Sequence, residues 1–394
     1  MILVKFLRDL IVMEKDSSIN SEDLEIYHNL RQHLDGLPIG YPSTESGIEI
    51  KILRHLFTPE EAKIAVKLRI TPERLEKIYR RVKRMGITIE ELEKILYRMY
   101  KKGCIAHATV VDENGEKKYY ANAFLAVGIY EYQLDRLSKE FVQDFEQYVE
   151  EAFMDEFNKT KINQLRTIPV KHSISSEHSI STYDNVRSIL EDESITKGKI
   201  AIMDCVCRKS KDILGKSCKL SDLRETCMTI GRGAQISLDK GWSRQLTTEE
   251  ALKLLDKFEE AGFIVQPDNT QVPFFICNCC GCCCELTTHL KEFDKPVEYI
   301  SSNFYAEIDS NLCTGCEVCL NRCLMDAITL LDEKSSINRD RCIGCGLCIS
   351  PCPVEAITLK KKEKETVPPI DRADLYTKII NKKAELARKE RSIE

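Results

Sequence analysis

The chain has 394 residues, 43% hydrophobic and 31% charged, with a net charge of −5 and a pI near 6. That length allows two or three domains, each with its own core. The slight acidity excludes a uniformly basic nucleic-acid binder.

The opening "MILVKFLRDLIVM" is apolar, but Lys5, Arg8 and Asp9 interrupt it. It is too short and too charged to span a bilayer, and no small-residue cleavage site follows. The expectation is a cytoplasmic protein with no membrane span. Residues 1–47 form a helical segment carrying Leu24, Leu30, Leu34 and Leu37, with the turn-rich connector "GLPIGYPSTESG" at its end.

"TPEEAKIAVKL" and "TPERLEKIYRRV" each begin Thr-Pro-Glu. Thr suits the cap, Pro the first helical turn, and Glu the positive helix end. "TIEELEKILYRMYKKG" puts Ile89, Leu92, Ile95, Leu96 and Met99 on one face and stops at Gly103. "CIAHATVVDENGEKKYYANAFLAV" alternates around Asn114-Gly115, a hairpin signal. Three helices and a hairpin predict a winged-helix-like domain over residues 48–128. Between residues 51 and 103, fifteen Lys and Arg face seven Asp and Glu, a balance suited to phosphate contacts. Yet the third helix starts with acidic residues where base contacts would begin. Protein docking is therefore favoured over DNA binding, and the isolated Cys104 reads as a core thiol.

Residues 129–304 read as a mixed, largely helical, cysteine-rich domain. Tyr130, Leu134, Leu137, Phe141, Phe145 and Tyr148 recur at helical spacing within a helical stretch that extends to residue 166. "KHSISSEHSISTYDN" is a polar loop or edge strand, and its His172 and His178 are taken as exposed loop residues rather than ligands. "TTEEALKLLDKFEEAG" is a Thr-capped amphipathic helix. Residues 305–362 hold an internal repeat, and 363–394 a lysine-rich linker and a charged helix, either a docking element or a solvated end. The whole reads as an α+β multidomain chain.

Eighteen of the nineteen cysteines follow residue 200. In a reducing compartment such dense, short spacing points to metal thiolates rather than disulfides. "CTGCEVCLNRCLMDAITL" and "CIGCGLCISPCPVEAITL" match at an offset of 29 residues. Each reads C-x2-C-x2-C-x3-C, the run with which bacterial ferredoxins hold [4Fe–4S] clusters. Three thiolates from one tight turn reach three cubane corners, and the displaced fourth serves the other cluster. Carried over by that motif, one cluster would sit on Cys313, Cys316, Cys319 and Cys352, the other on Cys342, Cys345, Cys348 and Cys323. Gly315, Gly344 and Gly346 would let the backbone approach the sulfurs. The first run departs from the motif by ending Cys323-Leu324 where the second ends Cys352-Pro353. Zinc, the alternative, usually takes two separated CxxC pairs.

Ten further cysteines lie upstream. Cys205, Cys207, Cys218 and Cys227 form C-x-C-x10-C-x8-C, enough for a third cluster with zinc as the alternative. Arg208, Lys209 and Lys211 stand beside them to offset its charge. "CNCCGCCC" supplies Cys277, Cys279, Cys280, Cys282, Cys283 and Cys284. Neighbours on a strand face opposite sides, so six cannot reach one cubane without an irregular loop, which Gly281 permits. Three readings stay open: two to four of them ligate a further cluster, the run supplies a larger or non-cubane cluster alone or with the Cys205–Cys227 group, or it forms a redox-active dithiol. Ligation is favoured.

With these motifs the chain resembles the large cytoplasmic ferredoxin-type proteins of anaerobic bacteria and archaea. They join a dicluster domain to an upstream "CxCR…C…C" group and a "CNCCGCCC"-like run. "LPIGYPSTESGIEIKILRHLFTPEEA" is similar to their N-terminal portion, and the resemblance covers residues from about 25 to 360. It implies iron–sulfur electron transfer, as a carrier or as a subunit of an oxidoreductase complex, with redox proteins as partners. No Gly-rich dinucleotide fingerprint or P-loop is present. Two other functions remain: a redox-sensing transcription regulator, and a reductase acting at the 277–284 run.

Overall fold

Helices and small sheets alternate along the chain in the computed structural model, which describes residues 21–113, 115–174 and 180–392. The stretch "MILVKFLRDLIVM", Asn114 of the predicted turn, and His178 lie outside the described residues. The chain divides into two units, Met1–Lys159 and Thr160–Glu394.

The first unit contains α1 (Ser21–Asp35), α2 (Ile48–Leu56), α3 (Pro59–Ala65), β1 (Glu73–Arg74), α4 (Leu75–Val82), α5 (Ile89–Lys101), β2 (Ile105–Asp112), β3 (Gly115–Asn122) and α6 (Lys139–Tyr148). Strands pair in the order β1-β3-β2. Thr58 opens α3 through a capping box with Glu61, at a cap the sequence predicts, and Thr88 opens α5 in the same way with Glu91. The second Thr-Pro-Glu behaves differently. Arg74 caps α4 without a side-chain bond, because Glu73 is drawn into the sheet opposite Tyr120. The Glu73 carboxylate is buried and takes Arg81 at 2.5 Å and Lys77 at 2.9 Å. Sheet pairing and two cations thus outweigh a Thr71 cap.

Arg81, then Lys77, holds the Glu73 carboxyl down at about 2. A depressed carboxyl contributes stability that is present above its unfolded value and lost as pH falls toward 2. Glu73→Gln is expected to destabilise this unit by roughly 2–3 kcal/mol at pH 7. In denaturant melts, the gap from the parent protein should shrink as pH is lowered from 5 to 3. Buried Glu61 similarly takes Arg98 at 2.8 Å and Lys102 at 2.5 Å. Four of the cations counted in the sequence therefore serve internal carboxylates. Cys104 is buried, as expected, and its thiol donates to the Leu56 carbonyl at 3.1 Å.

On α6, Phe141, Phe145 and Tyr148 are buried, and Tyr130 stacks on Phe145 at 3.5 Å. Helical structure ends at Asn158 rather than at residue 166. Beyond it the backbone is taken up by strand-like bridges, Leu165 to Asp268 and Ile168 to Val265, which a continued helix could not make.

The second unit opens with α7 (Val186–Glu191), β4 (Ile200–Asp204), α8 (Val206–Ile213), β5 (Glu225–Ile230), α9 (Arg232–Asp239), β6 (Ser243–Leu246), α10 (Thr248–Glu260), β7 (Ile264–Pro267), β8 (Phe275–Cys279) and α11 (Glu285–Glu292). The region read as largely helical is in fact built on a five-stranded antiparallel sheet, β6-β4-β5-β8-β7. α10 starts at the predicted Thr247 cap. His172 is exposed, with its ring 3.0 Å from Glu259.

Then come β9 (Phe304–Ile308), α12 (Val318–Arg322), β10 (Ile328–Leu331), β11 (Lys334–Ile337), β12 (Ile357–Lys361) and α13 (Arg372–Arg391). β9 pairs with β12 and β10 with β11. Each repeat's first strand therefore pairs with the other repeat's second. The linker is docked, with the Gln271 N–H donating to Pro369 at 2.8 Å. Leu375 and Ile379 bury the start of α13, while most of its last three turns are exposed.

A single core runs from Ile202, Met228, Ile264 and Ile276 of the sheet to Ile343 and Leu347 of the second repeat. Cys279, Cys280, Cys283 and Cys284 are buried within it. Among the described residues, no helix is long and apolar enough to cross a membrane.

Candidate metal centres

Two cavities lie within the repeats. One is lined by Cys323, Cys342, Cys345 and Cys348. The other is lined by Cys313, Cys316, Cys319 and Cys352. Each gathers three thiols from one run and the fourth from the other. The swap follows the strand exchange, and the backbone repeats it. Ala306 N–H donates to Cys342 Sγ and Ser335 N–H to Cys313 Sγ, both at 3.4 Å. Ala327 and Ala356 donate to Cys323 and Cys352, both at 3.3 Å. In each pair the donors are equivalent positions of the two repeats. Thiols converging on apolar cavities, with amide donors aimed at the sulfurs, fit iron–sulfur clusters.

The glycines act through the backbone rather than by making room beside sulfur. Gly344 has φ +68, and a Cβ there would overlap the Phe304 carbonyl oxygen. Gly281 has no such need: an added Cβ would sit in ordinary contact, 3.5 Å from Leu324. Gly344→Ala is therefore expected to abolish the second repeat's cluster, and Gly281→Ala to leave iron content unchanged. Iron analysis of the two purified variants decides.

The upstream cysteines are grouped differently from their order in sequence. Cys218 does not complete a set with Cys205, Cys207 and Cys227. Its Sγ lies 3.8 Å from Cys280 and 3.7 Å from Cys282, and Cys282 is 3.7 Å from both Cys280 and Cys283. Those four sulfurs all lie within 4.8 Å of one another. The reason is topological: Cys218 sits in the loop between α8 and β5, which reaches the turn after β8.

The other six thiols form a second group at the same end of the sheet. Cys205 follows β4 and stands at the N-cap position of α8, Cys227 stands opposite Cys277 in the β5–β8 ladder, and Cys279 follows two residues on. Cys284 caps α11. Adjacent thiols run from Cys227 through Cys277, Cys279, Cys284 and Cys207 to Cys205. Hydrogen bonds from Cys207 and Cys279 hold Cys284 well down, and Cys207 followed by Arg208 lowers Cys205. Both lowered thiols stand at helix N-termini, where backbone N–H groups favour thiolate. The irregular loop expected at Gly281 thus divides the run: Cys280, Cys282 and Cys283 join Cys218, while Cys277, Cys279 and Cys284 join Cys205, Cys207 and Cys227.

Arg208 lies between the groups and is 1% exposed. Its guanidinium is 4.0 Å from the Phe263 ring centroid and donates to Thr226 and to the Asn278 carbonyl. Its Nε and Nη2 have no hydrogen-bond partner, and no carboxylate pairs with it among the described residues. Burial opposes its charge, but neighbouring Cys205 and Cys280 thiolates favour it. Cys283, and behind it Arg208, hold Cys280 at about 4. A buried cation without a carboxylate costs several kcal/mol unless other anions surround it. The "CxCR" spacing marks Arg208 as a neighbour of cysteines, but only the fold makes it the buried counter-charge. Lys211 is engaged instead with Glu285 at 2.8 Å.

The cysteine-rich loop meets the repeats at Leu324, the residue that stands where the second run has proline. A Cβ on Gly281 would lie 3.5 Å from both Cβ and Cδ2 of Leu324, and Cys323 packs against the same core as Cys280 and Cys283.

No curated protein and no solved structure matches the chain. The family profile described as the 4Fe-4S dicluster domain matches residues 306–359, which span both cysteine-lined cavities' runs. Residues 306–359 are thus a ferredoxin-type iron–sulfur domain joined to a separate cysteine-rich region.

Proposed function

We propose that the chain is an electron-transfer protein, acting as a carrier or redox-complex subunit, in which the dicluster domain exchanges electrons with a cysteine-rich centre at the end of the five-stranded sheet. The observation that carries this reading is the shared core, with Leu324, next to Cys323, packed on the Cys280–Cys284 loop. Bound clusters supply one-electron chemistry. The residues around them set its terms. Amide donors at Ala306, Ala327, Ser335 and Ala356 stabilise negative sulfur, and burial at the other end is offset by Arg208. Cys316 is exposed, with the apolar Leu312 and Val318 exposed beside it. That end suits a redox partner, and the 342–348 cluster would bridge to the interior.

The N-terminal unit has the helix–strand–helix–helix–hairpin order of a winged helix, and we read it as a protein-docking module. Lys77, Arg81, Arg98 and Lys102 engage the Glu73 and Glu61 carboxylates, and α5 opens on Glu90 and Glu91, where base contacts would begin. Salt-sensitive binding to duplex DNA in a mobility-shift assay would instead support the regulator function.

The electron-transfer reading is tested by iron, acid-labile sulfide and reductive titration of anaerobically reconstituted protein. We expect about twelve irons with matching sulfide, two clusters in the repeats and one on the six-thiol group. About eight irons, all in the dicluster domain, would remove the interior centre.

A further inference from the structure

We propose that Cys218, Cys280, Cys282 and Cys283 hold a single divalent metal ion of the zinc–iron class, without bridging sulfide, as a site separate from the six-thiol group. The inference rests on reading the cysteine-rich region as metal-binding, and it assigns different chemistry to its two halves.

Sulfur spacing is the first ground. A tetrahedral ion with metal–sulfur bonds of 2.3 Å separates its thiolates by about 3.8 Å. The four distances from Cys218 and Cys282 are 3.7–3.8 Å. A cubane binds its four thiolates through four different irons and must spread them more widely. The same chain displays that wider arrangement. Its ferredoxin-type thiols line two separate cavities, and no three of them fall within the 4.8 Å limit that this quartet meets.

Charge is the second ground. Four thiolates on a divalent ion leave a net charge of about −2. Arg208, buried, with two N–H-bearing nitrogens lacking partners, stands beside Cys280 and Cys218. Such a cation is what a closed, anionic tetrathiolate needs from its surroundings.

With four protein ligands and no open position, the site is structural. It ties the α8–β5 loop to the turn after β8.

The test is metal-edge X-ray absorption on the full, unsubstituted chain, together with zinc, iron and sulfide analysis. The expected result is one zinc, or one iron in excess over sulfide, with four sulfur neighbours at about 2.3 Å and no second metal nearby. Cys282→Ser, at one of the two half-exposed ligands, should lose that one ion while sulfide stays constant. Loss of iron and sulfide in equal amounts from Cys282→Ser would overturn the proposal, as would wild-type iron fully matched by sulfide with no zinc. If sulfide is found only at the dicluster level while the single ion is present, the interior electron-transfer reading fails and this one stands.

Discussion

Arg208→Met is expected to destabilise the metal-free protein and to strip metal from the loaded one. Without metal, the neighbouring Cys205 and Cys280 thiolates already offset the buried Arg208 charge, and an apolar side chain of similar length leaves them without it. Apo Arg208→Met should therefore unfold at lower denaturant concentration than the apo parent, by the equivalent of about 1–3 kcal/mol. With metal, the same change strips the counter-charge from two anionic thiolate groups. Iron and sulfide in the cysteine-rich region should fall by at least half, with the dicluster domain still loaded. Any interior centre that remains should titrate at a potential lower by about 100 mV, since 59 mV corresponds to tenfold for one electron. Arg208→Lys keeps the charge but loses the planar fork, so it should restore the potential more than the loading. A residue that only filled space would move stability and leave the potential alone.

The second large effect concerns the exchanged ligands. Cys352→Ala should abolish the cluster of the first run, and Cys323→Ala that of the second, although each substituted residue lies in the other run. The expectation follows from the two cavities, each lined by three thiols of one run and the fourth of the other. About four irons should be lost in each variant, with the remaining cluster distinguished by its EPR signal. Only Cys323→Ala should isolate the interior centre, because Leu324 beside Cys323 is the point of contact with the cysteine-rich loop. Iron lost in the reverse pattern would place each fourth thiol in its own run.

Much of the ferredoxin-type domain was legible in the sequence, because its spacing is short and local. Three cysteines in one turn and a 29-residue offset define the repeat without knowledge of any distant contact. The upstream cysteines were legible as ligands but not in their grouping. Cys218 is nine residues from Cys227 in sequence, yet its sulfur meets Cys280 and Cys282 across the sheet end, a pairing that only β5–β8 adjacency produces. The sheet itself was obscured because "IAIMD" and "FICNC" are short buried strands without alternation, which periodicity cannot separate from helix. Capping followed the sequence at Thr58 and Thr247, where nothing competed. It failed at Thr71, where a buried ion pair and a β-ladder claimed Glu73.

Electron exchange between the dicluster domain and the interior centre is tested most directly by EPR at two frequencies on reduced Cys352→Ala, which keeps only the cluster nearer Leu324. Exchange across the Leu324 contact predicts a frequency-dependent pattern with splitting that is constant in field units, from two coupled centres. The splitting should vanish in Cys323→Ala. Two magnetically independent signals in Cys352→Ala would contradict it.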